Sequence, residues 1–214
     1  MGKFISIEKQ IEKTKDRYDD TLEKSDAGWH EIGRGDGMIR KAVASDLDAV
    51  AAIYDEILQL QEDGAITVGW IRGVYPTRAT AEDALRRNDL FVMEKDGVIL
   101  GSAIINQLQV DVYAKAKWRH AVDAEKIWVL HTLTISSQAG GQGLGKQFVD
   151  FYESYALDHG CCELRMDTNE RNHVARKMYK KLNYEEVDIV PTVFNGIPDV
   201  NLVLLEKYLG DTEK

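Results

Sequence analysis

Two periods alternate along this chain. Val50, Ile53, Tyr54 and Ile57 recur at helical spacing. So do Leu144, Phe148, Phe151, Tyr152 and Tyr155, and later Ala175, Met178, Tyr179 and Leu182. Each set lays an apolar stripe along one side of a helix. A further short helix is read in "TAEDALRR". Between the stripes lie β-rich runs. "MIRKAV" is a short strand, and "LFVMEKDGVILGSAIINQ" is a hairpin about Asp96-Gly97, a pair suited to the positive φ angles of a tight turn. "IWVLHTLTI" is almost continuously apolar, as a central strand should be. "CELRMD", "EEVDIV" and "NLVLLEKYL" complete the set. Ser45 with Asp48, and Thr80 with Asp83, read as capping boxes that open the first two helices. The order is strand, two helices, three strands, helix, strand, helix, two strands. That predicts an α/β domain with one mixed sheet of about six or seven strands and about four flanking helices.

The pattern changes before Met38. Residues 1–37 carry sparse apolar positions (Ile7, Ile11, Tyr18, Leu22) amid dense mixed charge, then the glycine-rich "GWHEIGRGDG". This predicts an N-terminal helical extension over 1–37 and a main domain over 38–214. The stretch "VDVYAKAKWRHAVDAEK" carries no period that assigns it to an element.

Composition narrows the function. A formal charge of −9 over 214 residues argues against nucleic-acid binding, which needs basic surface to neutralise phosphates. It is compatible with a cationic substrate. No apolar run approaches the ~20 residues of a membrane span. The N-terminus lacks the apolar centre of a secretion signal, so a cytoplasmic protein is expected. The two cysteines, Cys161 and Cys162, are adjacent, which suits neither a structural bridge nor a zinc site, and no metal is expected.

The densest chemical signal is "SSQAGGQGLGKQF", with four glycines within six residues between the central strand and a helical stripe. A strand that runs through glycines into a helix presents free backbone N–H groups and the positive end of the helix dipole to an anion. Lys146 can add charge at the edge. The stretch fails the nucleotide-hydrolase pattern, because Lys146 is followed by Gln147. It fails the dinucleotide fingerprint too, since it lies late in the chain and "GLGKQF" lacks the third glycine.

With "TNERNHVARKMYKKLNY" about 30 residues downstream, this turn resembles the GNAT superfamily of N-acetyltransferases over roughly residues 38–209. The turn is similar to the family's Q/R-x-x-G-x-G/A motif. The second stretch is similar to N-x-x-A-x-x-x-Y-x-x-x-G-F. The resemblance implies acetyl-CoA, or another acyl-CoA, as co-substrate. It implies that backbone groups of Leu133, Thr134 and Ile135 pair with the pantetheine arm. The pyrophosphate would lie on Gly140, Gly141, Gln142, Gly143, Leu144 and Gly145, with Lys146 at the edge. Asn172 would contact the pantetheine side and Tyr179 would lie near the thioester sulfur. Three positions depart from the motifs. Gly140 replaces the opening Gln or Arg, Asn183 replaces a glycine, and Tyr184 replaces a phenylalanine. Asparagine tolerates the left-handed conformation that ends a helix, so the second exchange is conservative.

Acetyl transfer to an amine needs a proton acceptor for the ammonium and a donor for the departing thiolate. Tyr179 is the expected donor. Two residues compete as the base: His131 in the central strand and Glu125 just before it. Tyr75, Tyr113 and Trp118 are candidates for lining the acceptor pocket, and the acceptor is a primary amine of a small molecule or a protein. The alternative reading is a catalytically silent acyl-CoA-binding sensor or interaction module. The segment "ISIEKQIEKTKDRYDDTLEKSDAGWHE" resembles part of Fic-type proteins outside their catalytic core. The Fic active-site motif is absent from the chain, so this resemblance implies only an appendage that could pack on a neighbouring subunit in a homodimer.

Overall fold

In the computed structural model, which describes residues 37–210, the chain begins with β1 (Met38–Lys41), α1 (Leu47–Glu62) and α2 (Arg78–Arg86). It continues through β2 (Leu90–Lys95), β3 (Val98–Asn106), β4 (Ile127–Ile135), α3 (Leu144–Asp158) and β5 (Glu163–Asn169). It ends with α4 (His173–Lys181), β6 (Glu185–Phe194) and β7 (Ile197–Tyr208). The expected helix over 1–37 and its Fic-like segment lie outside the described residues.

The element order is the one the periodicity predicts, and the fold is α/β with one seven-stranded mixed sheet. The strand order is β1-β2-β3-β4-β5-β7-β6, with β4 in the middle. Only β4 and β5 pair in parallel. They are joined through α3, as a parallel pair requires a crossover. Both two-residue hairpin turns place two residues at positive φ: Asp96 and Gly97, then Asn195 and Gly196. β6 lies at an edge, where the missing N–H of Pro191 is tolerated.

Alternation along the strands feeds opposite faces. Trp128, Leu130, Leu164 and Met166 pack with Phe148, Phe151 and Tyr152 of α3 and Tyr179 of α4. On the other face, Leu90, Val92 and Ile104 meet Val50 and Tyr54 of α1 and Ala81 and Ala84 of α2. Ile127, Val129, Leu202 and Leu204 are covered by Tyr113, which comes from the unassigned β3–β4 connection. That connection forms two short 3-10 turns, Asp111–Lys115 and Ala124–Lys126.

Both predicted capping boxes shift. Ser45 sits inside a 3-10 turn, Ala44–Asp46, and α1 begins at Leu47. The capping carboxylate there is that of Asp46, which accepts from the Val43 N–H at 2.8 Å and pairs with Arg40 at 2.7 Å. The second helix opens three residues early. Thr77 is its cap, and the Thr77 N–H donates to Thr80 Oγ1 at 3.0 Å. A tighter leading turn in one case, and an earlier threonine in the other, displaced the expected start. The C-terminal reading of the last helix holds. Asn183 has φ +65, its N–H donates to Lys180 O, and the Tyr184 N–H donates back to Tyr179 O at 3.0 Å. These are the two bonds of a Schellman ending, and the rings of Tyr179 and Tyr184 meet edge-on beside it.

Candidate active site

The register between β4 and β5 runs from Ile127 opposite Glu163 to Leu130 opposite Met166, and stops. Just beyond, Thr132 has φ +47, and β4 slips by one residue against β3 between His131 and Thr134. A β-branched residue in the left-handed region carries roughly 1–3 kcal/mol of strain, and a bulge re-aims its strand. The two strands therefore part after Leu130. A cleft of about 770 Å³ runs between them, with His131 to Ser137 on one wall and Asp167 to Asn169 on the other.

The glycine turn closes one end of this cleft, through Gly140, Gly141, Gly143, Leu144, Gly145 and Lys146. Gly141 and Gly143 have φ near +77 and +76, and a Cβ on either would meet open space. Their need for glycine is conformational. Gly145 is different. A Cβ there would lie 3.1 Å from Met178 Sδ, so α3 and α4 approach closely at this point. α3 starts at Leu144, and the backbone N–H groups from Gly141 to Lys146 have no hydrogen-bond partner among the described residues. The turn is anchored from α1. The Glu56 carboxylate accepts from the Ser137 N–H at 2.8 Å, the Ser136 hydroxyl at 3.0 Å and the Ser137 hydroxyl. Nothing in the sequence pattern singles out Glu56, which lies eighty residues away.

The other expected residues divide into those the cleft gathers and those it does not. Leu133, Thr134, Ile135, Asn172, His131 and Tyr179 all line it. Asn172 caps α4, its Oδ1 accepting from the Ala175 N–H at 3.2 Å. Tyr179 is buried, and its hydroxyl has no hydrogen-bond partner among the described residues. Burial, and then the nearby Asp167 carboxylate, push that hydroxyl further above the ordinary phenol range. Lys146 is paired on the surface of α3 with Asp150, a weak exposed pair. Gln142 is exposed and is not part of the cleft wall.

Neither expected base is well placed. Glu125 is exposed in the turn before β4, at the opposite end of that strand from the glycines, and does not line the cleft. His131 lines it but is committed. Its Nε2 lies 3.1 Å from both Asn106 Oδ1 and Leu108 O, two acceptors, so Nε2 carries the proton. Asn106 is fixed in turn, because its Nδ2 donates to the buried Asp89 at 2.8 Å. Burial depresses the imidazole to about 4, which makes it a feeble proton acceptor at neutral pH.

A different carboxyl occupies the fork of the strands. Asp167, on β5, lines the cleft one residue past the last β4–β5 pair, and burial raises it from 3.8 to about 7. The Tyr113 hydroxyl donates to it at 2.8 Å. The sequence offered one signal, an acidic residue closing the apolar strand "CELRMD". Of the three aromatics expected around the acceptor, Tyr75 lines the cleft and bonds to Thr132 Oγ1. Tyr113 is buried beneath it, and Trp118 supports Tyr113, donating from Nε1 to its carbonyl at 2.9 Å. Arg171 and His173 also line the cleft and were not anticipated.

Over residues 52–184 the sequence matches the Acetyltransferase (GNAT) family. The chain belongs to that family. Its relatives are distant. Aminoglycoside N(6')-acetyltransferase type 1 of Salmonella typhimurium is 24% identical over 114 residues, 52% of this chain and 74% of the relative. A GNAT-family acetyltransferase structure from Streptococcus agalactiae superposes with a TM-score of 0.69 at 23% identity, over 87% of this chain and all of that one. The Salmonella typhimurium protein yncA, solved with its cofactor acetyl-CoA, gives 0.61 at 16% identity over 83% and 96% of the two chains. At these identities the structures speak for the GNAT fold alone. Gly140, the departure from the GNAT turn motif, donates its N–H to Ser137 O at 3.0 Å. A Cβ would stand 3.1 Å from that oxygen, so the tight turn leaves little room for the side chain that is missing here. Among the described residues no helix is long and apolar enough to cross a membrane.

Proposed function

We propose that this GNAT chain transfers an acetyl group from acetyl-CoA to a primary amine of a small cationic molecule, by direct attack in a ternary complex. The observation that carries the reading is the parting of β4 and β5 after Leu130. It opens one cleft with unpartnered N–H groups at one end and two proton-handling side chains, Tyr179 and Asp167, on its walls. The donors fit a pyrophosphate, since the turn offers N–H groups, a helix N-terminus and adjacent open space. Gly141 to Lys146 would hold the phosphates, and Leu133 to Ile135 and Asn172 would line the arm.

When bound, acetyl-CoA supplies a thioester whose acetyl carbon accepts the amine nitrogen as the carbon–sulfur bond breaks. Asp167 takes the proton that the ammonium must lose to become a nucleophile. It is half ionised near neutral pH, the range in which an acceptor works best. Tyr179 stays protonated at physiological pH and gives its proton to the departing sulfur. The second proton lost from nitrogen as the amide forms restores that tyrosine through solvent. His131 holds the wall of the cleft through Asn106 and Leu108.

The acceptor class rests on the acidic chain, on Asp167, and on the aminoglycoside activity carried in the name of one relative. A second reading, acyl-CoA binding without turnover, draws on Gly140, which removes a phosphate-contacting side chain. One assay separates the two. Thiol release from acetyl-CoA is followed over a panel of aminoglycosides, polyamines, amino acids and peptide amines. Turnover with a cationic small molecule is the expected result. Tight acetyl-CoA binding without turnover on any member of the panel would favour the sensor.

A further inference from the structure

Four residues before Asp167, at the start of β5, the sheet buries a second group of charges. Glu163 pairs in register with Tyr208, and Arg165 with Glu206, so these four side chains form one block on one face of β5 and β7. Both glutamates are inside the protein, Glu163 at 0% exposure and Glu206 at 2%. Among the described residues Arg165 is the one guanidinium or ammonium that reaches them, and it does so poorly. Arg165 lies over the Trp118 ring at 4.1 Å, donates from Nη1 to Gln109 at 2.7 Å, and reaches Glu163 Oε1 only at 3.5 Å. Glu206 accepts from the Arg119 N–H. Among the described residues Glu163 Oε2 receives no N–H or hydroxyl hydrogen bond, and its carboxyl neighbour is Glu206.

Facing that oxygen is His120 of the β3–β4 connection. Its ring stacks on Tyr208, 4.5 Å between centroids and 11° from parallel, which aims Nδ1 at the carboxylates. Nδ1 likewise has no hydrogen-bond partner among the described residues. It lies 3.9 Å from Glu163 Oε2 and 3.7 Å from Glu206 Oε1. These separations are too long for hydrogen bonds. They are close to what one ion requires. Ligand atoms about 2.1 Å from a tetrahedral zinc stand about 3.4 Å apart, a few tenths of an ångström less than found here. The three donor atoms all lie within 4.8 Å of one another.

We propose that His120, Glu163 and Glu206 bind one divalent ion of the zinc class, which clamps the β3–β4 connection to the sheet. Borderline imidazole and carboxylate donors suit zinc. The His120 side chain is 41% exposed while its Nδ1 is buried, so an ion would enter as this exposed ring swings aside. Three side chains from a loop and two strands converge here without any metal-ligand spacing in sequence. The clamp also bears on the cleft, since the same connection carries Tyr113, which holds Asp167.

The test is calorimetric titration of the full chain with zinc ion at pH 8, with bound metal counted after gel filtration. The expected result is one zinc per chain and a raised Tm. His120→Ala alters an exposed ring and Glu163→Gln keeps the buried shape; each should remove that equivalent. Failure of the wild-type chain to retain zinc overturns the proposal. So does unchanged stoichiometry in His120→Ala with its folded circular dichroism spectrum intact, because the ion would then sit elsewhere. The titration is read without acetyl-CoA and is independent of transferase activity.

Discussion

Tyr113 and Asp167 are 54 residues apart in sequence, and the hydroxyl of the first donates to the carboxylate of the second at 2.8 Å. The bond is made from beneath the cleft, so it holds the carboxyl without occupying the acceptor's space. It favours the charged form and opposes the burial that raises this group to about 7.

If Asp167 takes the ammonium proton, kcat/KM rises with pH through about 7, because only the ionised carboxylate accepts. Asp167→Asn should lower kcat by roughly 10²–10⁴-fold and erase that limb. Tyr113→Phe removes the bond that favours ionisation, so the limb should move to higher pH with activity recovered there. The folded form binds this proton more tightly than the unfolded chain does. The resulting penalty grows as pH rises from 3.8 to about 7 and is complete above it. Asp167→Asn should therefore melt no lower than the wild-type chain at pH 8, and a large loss of Tm would assign the residue to structure.

Tyr179→Phe keeps the ring that packs against Tyr184 and deletes only the hydroxyl. The expected outcome is a fall in kcat of roughly 10²–10⁴-fold with acetyl-CoA affinity nearly unchanged. Full activity would mean that the sulfur leaves without help from this residue.

His131→Gln should leave the pH profile in place, since an imidazole depressed to about 4 does not titrate in the working range. A modest loss of activity from the altered cleft wall is expected. Disappearance of the limb near pH 7 in this variant, and not in Asp167→Asn, would return the base role to the histidine.

Gly143→Val tests the turn. The residue sits at φ +76, where a β-branched side chain is strained by roughly 1–2 kcal/mol. Its new Cβ would project into the open space beside the unpartnered N–H groups. Calorimetry should show lost acetyl-CoA binding with most of the thermal stability kept. Normal binding would reduce the turn to a connector.

Ligand binding should itself be visible in the melt. Acetyl-CoA at a hundredfold excess over Kd adds about 2.7 kcal/mol to the native state, a rise of several degrees in Tm. NAD and ATP should do much less, and equal shifts from all three would remove the cofactor assignment.

Local periodicity with cap and turn signals was enough to place the seven strands and four α-helices of the described residues in order, though not the 3-10 turns, because helical and extended segments impose different spacings on side chains that share a face. The same local chemistry gave the Asp96-Gly97 turn, the left-handed Asn183 and the glycine turn, since each depends on φ values that few residues adopt. Helix starts were less exposed to such reading. Asp46 displaced Ser45, and Thr77 displaced Thr80, because several neighbouring residues can cap and packing selects among them. The site divided along the same line. Tyr179, Asn172 and the turn lie in two short motifs, whereas Glu56, Tyr113 and Asp167 meet only after the sheet forms. No spacing signals that His120, Glu163 and Glu206 adjoin. Burial decided the chemistry last. It depressed His131 and raised Asp167 toward neutrality, and the dielectric around a side chain is a property of the packed fold, absent from the order of residues.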